Sequence, residues 1–171
     1  AAFDYDFKAY PLDFGLKTIE ASDDTSPYAV FLVNTSRETK LWSEDKWVAL
    51  AKDCHKAGLS IRLLWGSEAE HERVQRIACS AGDFCQVLPR MSIKDCAAVL
   101  QEASFVVGVD TGLTHLAAAT QRPTVGLFLD YPIELVGLTG GCVKSLGGVG
   151  ANPAVSEVKS ALTQLGLDLF Q

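Results

Sequence analysis

The chain has 171 residues, 48% apolar and 21% charged, with a net charge of −6: enough for one domain with a sizeable core. The acidic balance argues against a nucleic-acid partner while leaving room for a local basic pocket. No apolar run approaches the roughly 20 residues of a membrane-spanning helix; no signal-peptide pattern opens the chain; and the five cysteines (Cys54, Cys79, Cys85, Cys96 and Cys142), odd in number and without C-x-x-C spacing, point to reduced thiols in a cytosolic protein rather than to a disulfide framework or a zinc site.

Residues 1–27 have no clean period. Phe3, Tyr5, Phe7, Tyr10 and Phe14 alternate with Asp4, Asp6 and Asp13, and Pro11, Gly15 and Pro27 interrupt; an extended lead-in that packs its aromatics on a neighbour is expected. The chain opens with Ala1 rather than Met, so a piece of something longer is expected too. Tyr28 to Val33 reads as the first core strand. It runs into Asn34-Thr35-Ser36-Arg37-Glu38-Thr39-Lys40, dense in hydroxyl and cationic groups. A helix follows, with Ser43 as N-cap, Glu44 and Asp45 in its first turn, Trp42 stapling onto Trp47, a buried stripe of Trp47, Leu50, Ala51 and Cys54, and Gly58 closing it. Hydroxyls with Arg37 and Lys40 at a strand's end make a candidate anion site; a solvated loop with ordinary surface cations is the plainer reading.

Ser60 to Trp65 is the second strand. Ser67-x-x-Glu70 is a capping box that opens a helix with Val74, Ile77, Ala78 and Ala81 inward. That already explains Glu70 structurally, yet its carboxylate also stands just past a strand's carboxyl end, where it could accept bonds from ribose hydroxyls; the two roles compete for the same oxygens. Phe84 to Leu88 is a short third strand, and Ser92 caps a helix with Cys96, Val99, Leu100 and Ala103 inward. Met91 sits in the loop before it, a position more often filled by a gap-filling side chain than by a ligand contact.

Ser104 to Gln121 is the centre of the pattern: a β-branched apolar strand to Val109, a turn at Asp110-Thr111-Gly112, then a helix with Leu113, Leu116, Ala117 and Thr120 as its buried face. Asp110 or Thr111 can cap it, Gly112 lets another group approach the backbone, and the unpaired N–H groups suit an anion. Thr111 and His115 share one face. A well-capped helix after a core strand accounts for the same residues without any ligand. Pro123 leads into a strand from Thr124 to Leu129. Residues 137–150 hold six glycines, expected as a mobile loop over a ligand, with a weak strand at Cys142 to Ser145. Asn152-Pro153 caps a last helix that buries Ala154, Val158, Ala161, Leu162 and Leu165.

Strict alternation of strand and helix with short links predicts an α/β fold, a Rossmann-like parallel sheet with helices on both faces. Ligands in such folds sit outside the carboxyl ends of the strands, where the polar clusters at 35–40, 67–70 and 110–115 all fall. The absence of G-x-G-x-x-G after the first strand and of G-x-x-x-x-G-K-[ST] disfavours a dinucleotide dehydrogenase and a P-loop hydrolase.

VDTGLTHLAAA with RPTVGLF, TSRETKLW from Thr35 to Trp42, LLWGSEAEHER from Leu63 to Arg73 and LPRMS from Leu88 to Ser92 occur in one order. Together they resemble the C-terminal half of the lipopolysaccharide heptosyltransferases, two-Rossmann-domain (GT-B) glycosyltransferases, and most of all the heptosyltransferase I branch. The resemblance covers residues 28 to about 135 and fades after Phe128, where the family's Gly-Pro-Thr-Asp segment is replaced by Phe128-Leu129-Asp130.

The resemblance implies that Thr35, Ser36 and Lys40 hold the diphosphate of ADP-heptose, that Glu70 binds the adenosine ribose, and that Met91 packs the adenine. It implies that Asp110 holds the heptose hydroxyls and that Thr111, Gly112 and Leu113 offer N–H groups to the phosphates, with His115 nearby. It further implies inverting transfer to Kdo of the inner core, on the cytoplasmic side at the inner membrane. Lys40 would stabilise the leaving group in place of a metal, no cofactor would be needed, and the acceptor site and general base would lie in an N-terminal domain outside this chain, with residues 1–27 as the linker and 28–171 as the sugar-nucleotide domain. A stand-alone nucleotide-binding regulatory module, or a UDP-N-acetylglucosamine 2-epimerase of the same architecture, would account for the same elements.

Overall fold

A computed structural model describes residues 14–16 and 26–170. Most of the expected lead-in, including Phe3, Tyr5, Phe7 and Tyr10, lies outside the described residues; Phe14 and Leu16 are exposed.

The elements run β1 (Tyr28–Leu32), a 3-10 turn (Glu38–Lys40), α1 (Glu44–Lys56), β2 (Ser60–Leu63), α2 (Glu68–Ala81), β3 (Cys85–Val87), α3 (Ile93–Glu102), β4 (Phe105–Val109), α4 (Gly112–Ala119), β5 (Thr124–Phe128), α5 (Ile133–Val136), β6 (Val143–Gly147) and α6 (Val155–Gln164). The six strands form one sheet in the order β3-β2-β1-β4-β5-β6, with every neighbouring pair parallel. From β1 the chain winds outward to β3, then crosses back to lay β4 on the other side of β1. The two halves thus diverge between β1 and β4, which are in register from Ala29 opposite Phe105 to Leu32 opposite Gly108. A crevice opens at the carboxyl ends of such a pair, and doubly wound sheets bind ligands there.

Alternation along the buried strands sends side chains to two cores. Ala29, Phe31 and Val33 join Trp47 and Leu50 of α1, Ile77 of α2 and Leu162 of α6 on one face. Val30, Leu32 and Val106 meet Cys96 and Leu100 of α3 and Ala117 of α4 on the other. The expected sheet with helices on both faces is what forms. Among the described residues no helix is long and apolar enough to cross a membrane, and all five cysteines are free thiols.

Local chemistry accounts for the helices. Trp42 packs edge-on against Trp47, centroids 4.9 Å apart, the expected staple, and the stripe Trp47, Leu50, Ala51 and Cys54 is buried. Ser43 precedes α1 but makes no side-chain cap bond. The α2 box forms in full: Ser67 accepts from the Glu70 backbone while the Glu70 carboxylate accepts from that of Ser67. Ser92 accepts from the Asp95 backbone at the start of α3.

Three expectations need correction. First, α4 buries Thr114, Ala117 and Ala118, whereas Leu113 and Leu116 are only partly covered. The reason lies in β4: a Cβ on Gly108 would fall 2.2 Å from Thr114 Oγ1, so the missing side chain admits the Thr114 hydroxyl, which donates to the Val109 carbonyl at 2.7 Å. Second, the strand expected at Cys142 to Ser145 forms, but it runs on to Gly147 and takes up much of the stretch expected as a loop. This strand, β6, pairs with β5 from Thr124 opposite Val143 to Phe128 opposite Gly147. Gly147 has φ +113°, and a Cβ there would lie 2.1 Å from the Phe128 carbonyl oxygen; glycine serves close packing at this edge. Third, α6 starts at Val155, with Ala154 exposed and its N–H donated to Glu157 Oε2 at 2.7 Å. Asn152-Pro153 instead forms a latch onto α1: Trp42 Nε1 donates to the Pro153 carbonyl at 2.8 Å, and Lys46 Nζ to Asn152 Oδ1 at 2.7 Å.

Candidate functional site

The polar segment after β1 and the turn after β4 meet at the point where the sheet reverses direction. Thr35 Oγ1 donates to the Asp110 carbonyl at 2.9 Å. The 3-10 turn then brings Lys40 back over the strand ends, and its Nζ sits 2.5 Å from Asp110 Oδ2, both side chains about 15% exposed. His115 Nε2 stands 3.9 Å from the other carboxylate oxygen, Asp110 Oδ1, and its ring meets Phe128 edge-on, centroids 6.1 Å apart. Ser36 lies on an exposed bend beside Thr35. Residues some seventy positions apart in sequence thus form one cluster of a cation, a carboxylate and a hydroxyl.

Beside this cluster lies a hollow of about 130 Å³. Leu32, Trp65, Met91 and Leu113 give it apolar walls, and Asn34, Glu70 and Thr111 supply polar groups. An apolar slot with a few polar groups suits a flat, partly polar ligand. Cys96 also borders it, but burial pushes that thiol's pKa up, so it stays a neutral wall residue. A broader groove of about 300 Å³ lies against α6 near Lys144, Leu146 and Ser160, and one of about 290 Å³ borders Thr39, Leu41, Leu129 and Gly150.

Of the residues singled out from the sequence, Glu70, Met91, Thr111 and Leu113 line the hollow, and Thr35, Lys40 and Asp110 form the adjoining cluster. Gly112 begins α4, and a Cβ there would meet nothing within 4 Å, so the approach to the α4 N-terminus is open. Thr111 is the N-cap residue but makes no side-chain cap bond, which leaves its hydroxyl available at the wall of the hollow. Glu70 accepts from the N–H groups of Gly66, at 2.7 Å, and Ser67, at 3.2 Å, through Oε2 in both cases. Capping therefore engages one carboxylate oxygen, Oε2, for both N–H groups.

Sequence reasoning passed over Asn34, Trp65, Asp130 and Tyr131. Thr39 Oγ1 donates to Asp130 Oδ2 at 3.1 Å, and Arg37 Nη1 to Tyr131 Oη at 2.7 Å. The available signal was the strand end at Phe128, since β5 lies next to β4 and its following residues must open onto the same crevice.

Comparison with known proteins adds to this geometry. The model of glycosyltransferase family 9 (heptosyltransferase) matches residues 3–158. The chain is 47% identical over 113 residues to lipopolysaccharide heptosyltransferase 1 of Salmonella typhimurium, covering 66% of this chain and 35% of that protein. It is 44% identical over 129 residues to the protein of that name from Pseudomonas aeruginosa, covering 74% of this chain and 36% of that one. Among solved structures it is similar to E. coli heptosyltransferase WaaC with ADP, with a TM-score of 0.78 and 35% identity over 85% of this chain and 46% of that one. The aligned part thus spans about a third of the curated relatives' length.

Proposed function

Because this chain belongs to glycosyltransferase family 9, we propose that it is the donor-binding half of an inverting heptosyltransferase, which moves heptose from ADP-heptose to Kdo of the lipopolysaccharide inner core. One observation carries the reading: Thr35 and Lys40 each donate to Asp110 at the reversal of the sheet, directly beside a hollow lined by Glu70, Met91, Thr111 and Leu113. The hollow takes adenosine, with Met91 against the base and the second Glu70 oxygen toward the ribose. The diphosphate lies over the open N-terminus of α4, with Thr35 and Ser36 at its side. Asp110 then faces the heptose hydroxyls, with His115 nearby. The names of the curated relatives and the solved likeness with ADP support this assignment.

The chemistry is displacement at the anomeric carbon with ADP leaving. Negative charge grows on the bridging phosphate oxygen, and Lys40 and the α4 amides stabilise it; the reading calls on no metal or cofactor. The acceptor, Kdo-lipid A, and the general base that deprotonates its hydroxyl belong to a part of the whole protein outside these 171 residues, which fits alignments that span about a third of the relatives. On this reading residues 28–171 are the sugar-nucleotide domain, residues 1–27 are the linker, and the whole enzyme works on the cytoplasmic side with peripheral contact to the inner membrane.

Calorimetric titration with ADP, and product detection with ADP-heptose and Kdo-lipid A, test this. The chain should bind ADP and transfer no heptose, because it holds only one of the two reactants in line. No ADP binding would sink the donor-site reading; detectable transfer would place a base within these residues and sink the half-enzyme reading.

A further inference from the structure

We propose that Tyr131, in the loop after β5, is a positioning residue for Lys40, setting its ammonium group and Arg37 beside it for the diphosphate of a nucleotide sugar; this rests on the donor-site reading above. In the sheet β4 lies between β1 and β5, so Tyr131 reaches across the end of β4 to meet the segment that follows β1. Lys40 Nζ lies 4.9 Å from the centre of the Tyr131 ring. Arg37 donates to the Tyr131 hydroxyl at 2.7 Å, with its guanidinium carbon 5.8 Å from the ring centre. The neighbouring Asp130 accepts from Thr39 at 3.1 Å and pairs with Arg37 at 3.8 Å. The two loops are therefore joined through both cations.

A lysine ammonium has three donors on a flexible four-carbon stem. Asp110 takes one of them and, acting alone, would draw the ammonium to the sugar side of the site. The tyrosine ring attracts the cation through its π face and consumes no N–H donor. Two donors are left for phosphate oxygens, on a side chain held from two directions and hence preorganised. The hydroxyl does the same for Arg37, which is 58% exposed and has Asp130 as a second, longer-range partner at 3.8 Å.

The test compares the parent chain with Tyr131→Phe and Tyr131→Ala. Binding of ADP and of adenosine is followed by tryptophan fluorescence, because Trp65 lines the hollow while Trp42 and Trp47 are fully buried. Tyr131→Ala should lose about tenfold in ADP affinity, the size of a well-desolvated cation–π contact, with adenosine affinity and melting temperature unchanged. Tyr131→Phe keeps the ring and should retain most of the ADP affinity. Parental ADP affinity in Tyr131→Ala, or equal losses for ADP and adenosine, would overturn the proposal. A second readout does not depend on the nucleotide: acylation of Lys40 by an amine reagent, followed by mass spectrometry, should be faster in Tyr131→Ala, and an unchanged rate would also overturn it. A parent chain that binds no ADP would overturn the donor-site reading instead, and the acylation rates would still decide whether Tyr131 holds Lys40.

Discussion

Lys40 and Asp110, seventy positions apart, form an ion pair of 2.5 Å with about 15% of each side chain exposed. The two residues were expected to serve different parts of the donor, one the phosphates and the other the sugar. Their pairing means that each is held in place by the other, and on the proposed donor-site reading the ammonium is shared between carboxylate and phosphate. Removing Lys40 deletes a charge-assisted contact and leaves a carboxylate facing a diphosphate. Lys40→Ala should weaken ADP binding by about 1.5–3 kcal/mol. Asp110→Asn removes the competitor, so ADP should bind at least as tightly as in the parent. Adding Asp110→Asn to Lys40→Ala should recover part of the loss, as contacting residues are non-additive. Calorimetry on the three variants checks this; equal losses in both single variants would mean that the pair is only a structural tie.

Glu70 carries a second separation. Its Oε2 takes both backbone N–H groups at the start of α2, and a glutamine carbonyl can do the same. Glu70→Gln should melt close to the parent but bind ADP more weakly, having lost the charge offered to the ribose. Glu70→Ala removes the carboxylate half of the capping box as well, leaves Ser67 as the N-cap, and should cost about 0.5–1.5 kcal/mol of stability. Normal ADP affinity in Glu70→Gln, measured with its melting curve, would confine the residue to capping.

The sheet and its two helix layers were legible because they rest on local chemistry, whereas Thr35, Lys40, Glu70 and Asp110 were singled out by their place at strand ends and by resemblance, and the fold does gather them at one end of the sheet. The stripe Trp47, Leu50, Ala51 and Cys54 and the Ser67–Glu70 box declare themselves within a few residues. What stayed hidden depends on contact across the sheet. Thr114 reads as a polar residue on a helix, and only its neighbour Gly108 on β4 makes it a core residue. β6 showed only as a weak strand at Cys142 to Ser145, and its run on to Gly147 is defined by pairing with β5. Tyr131 follows a strand in a segment where the family resemblance fades, and its partners Arg37 and Lys40 lie over ninety positions earlier.

Away from the site, acid should loosen the α1 flank. The hydrogen bond from Arg76, with the nearby Arg73 charge, holds the Glu44 carboxyl below its ordinary 4.5, and Lys159 together with Lys56 holds Asp53 below 3.8. Both groups are more acidic folded than unfolded, so at low pH the unfolded chain binds more protons. Their stabilisation is present above the ordinary carboxylate range and is lost as pH falls through the folded values. Urea midpoints measured from about pH 6 down to about pH 3 should fall less steeply in Glu44→Gln, which also starts lower at neutral pH. Parallel curves for parent and variant would show that the ion pair contributes nothing.

The tightest constraint on the site lies beneath it, at Gly108. A methyl group added there would meet Thr114 Oγ1 at 2.2 Å and Leu32 Cβ at 3.0 Å, in the buried seam where β1, β4 and α4 join. Thr114 can yield only by giving up its bond to the Val109 carbonyl or by carrying α4 outward, and α4 begins next to Thr111 at the wall of the hollow proposed to take the nucleotide. Gly108→Ala should therefore cost about 2–4 kcal/mol from overpacking and a lost buried hydrogen bond, and should also weaken ADP binding. Thr114→Ala removes the atoms that collide. Combined with Gly108→Ala, it should restore a good part of both losses, although alone it is mildly destabilising. Urea unfolding and ADP titration of the two single variants and the pair make the check. If the pair is no better than Gly108→Ala alone, the seam between β4 and α4 is not what glycine preserves at this position.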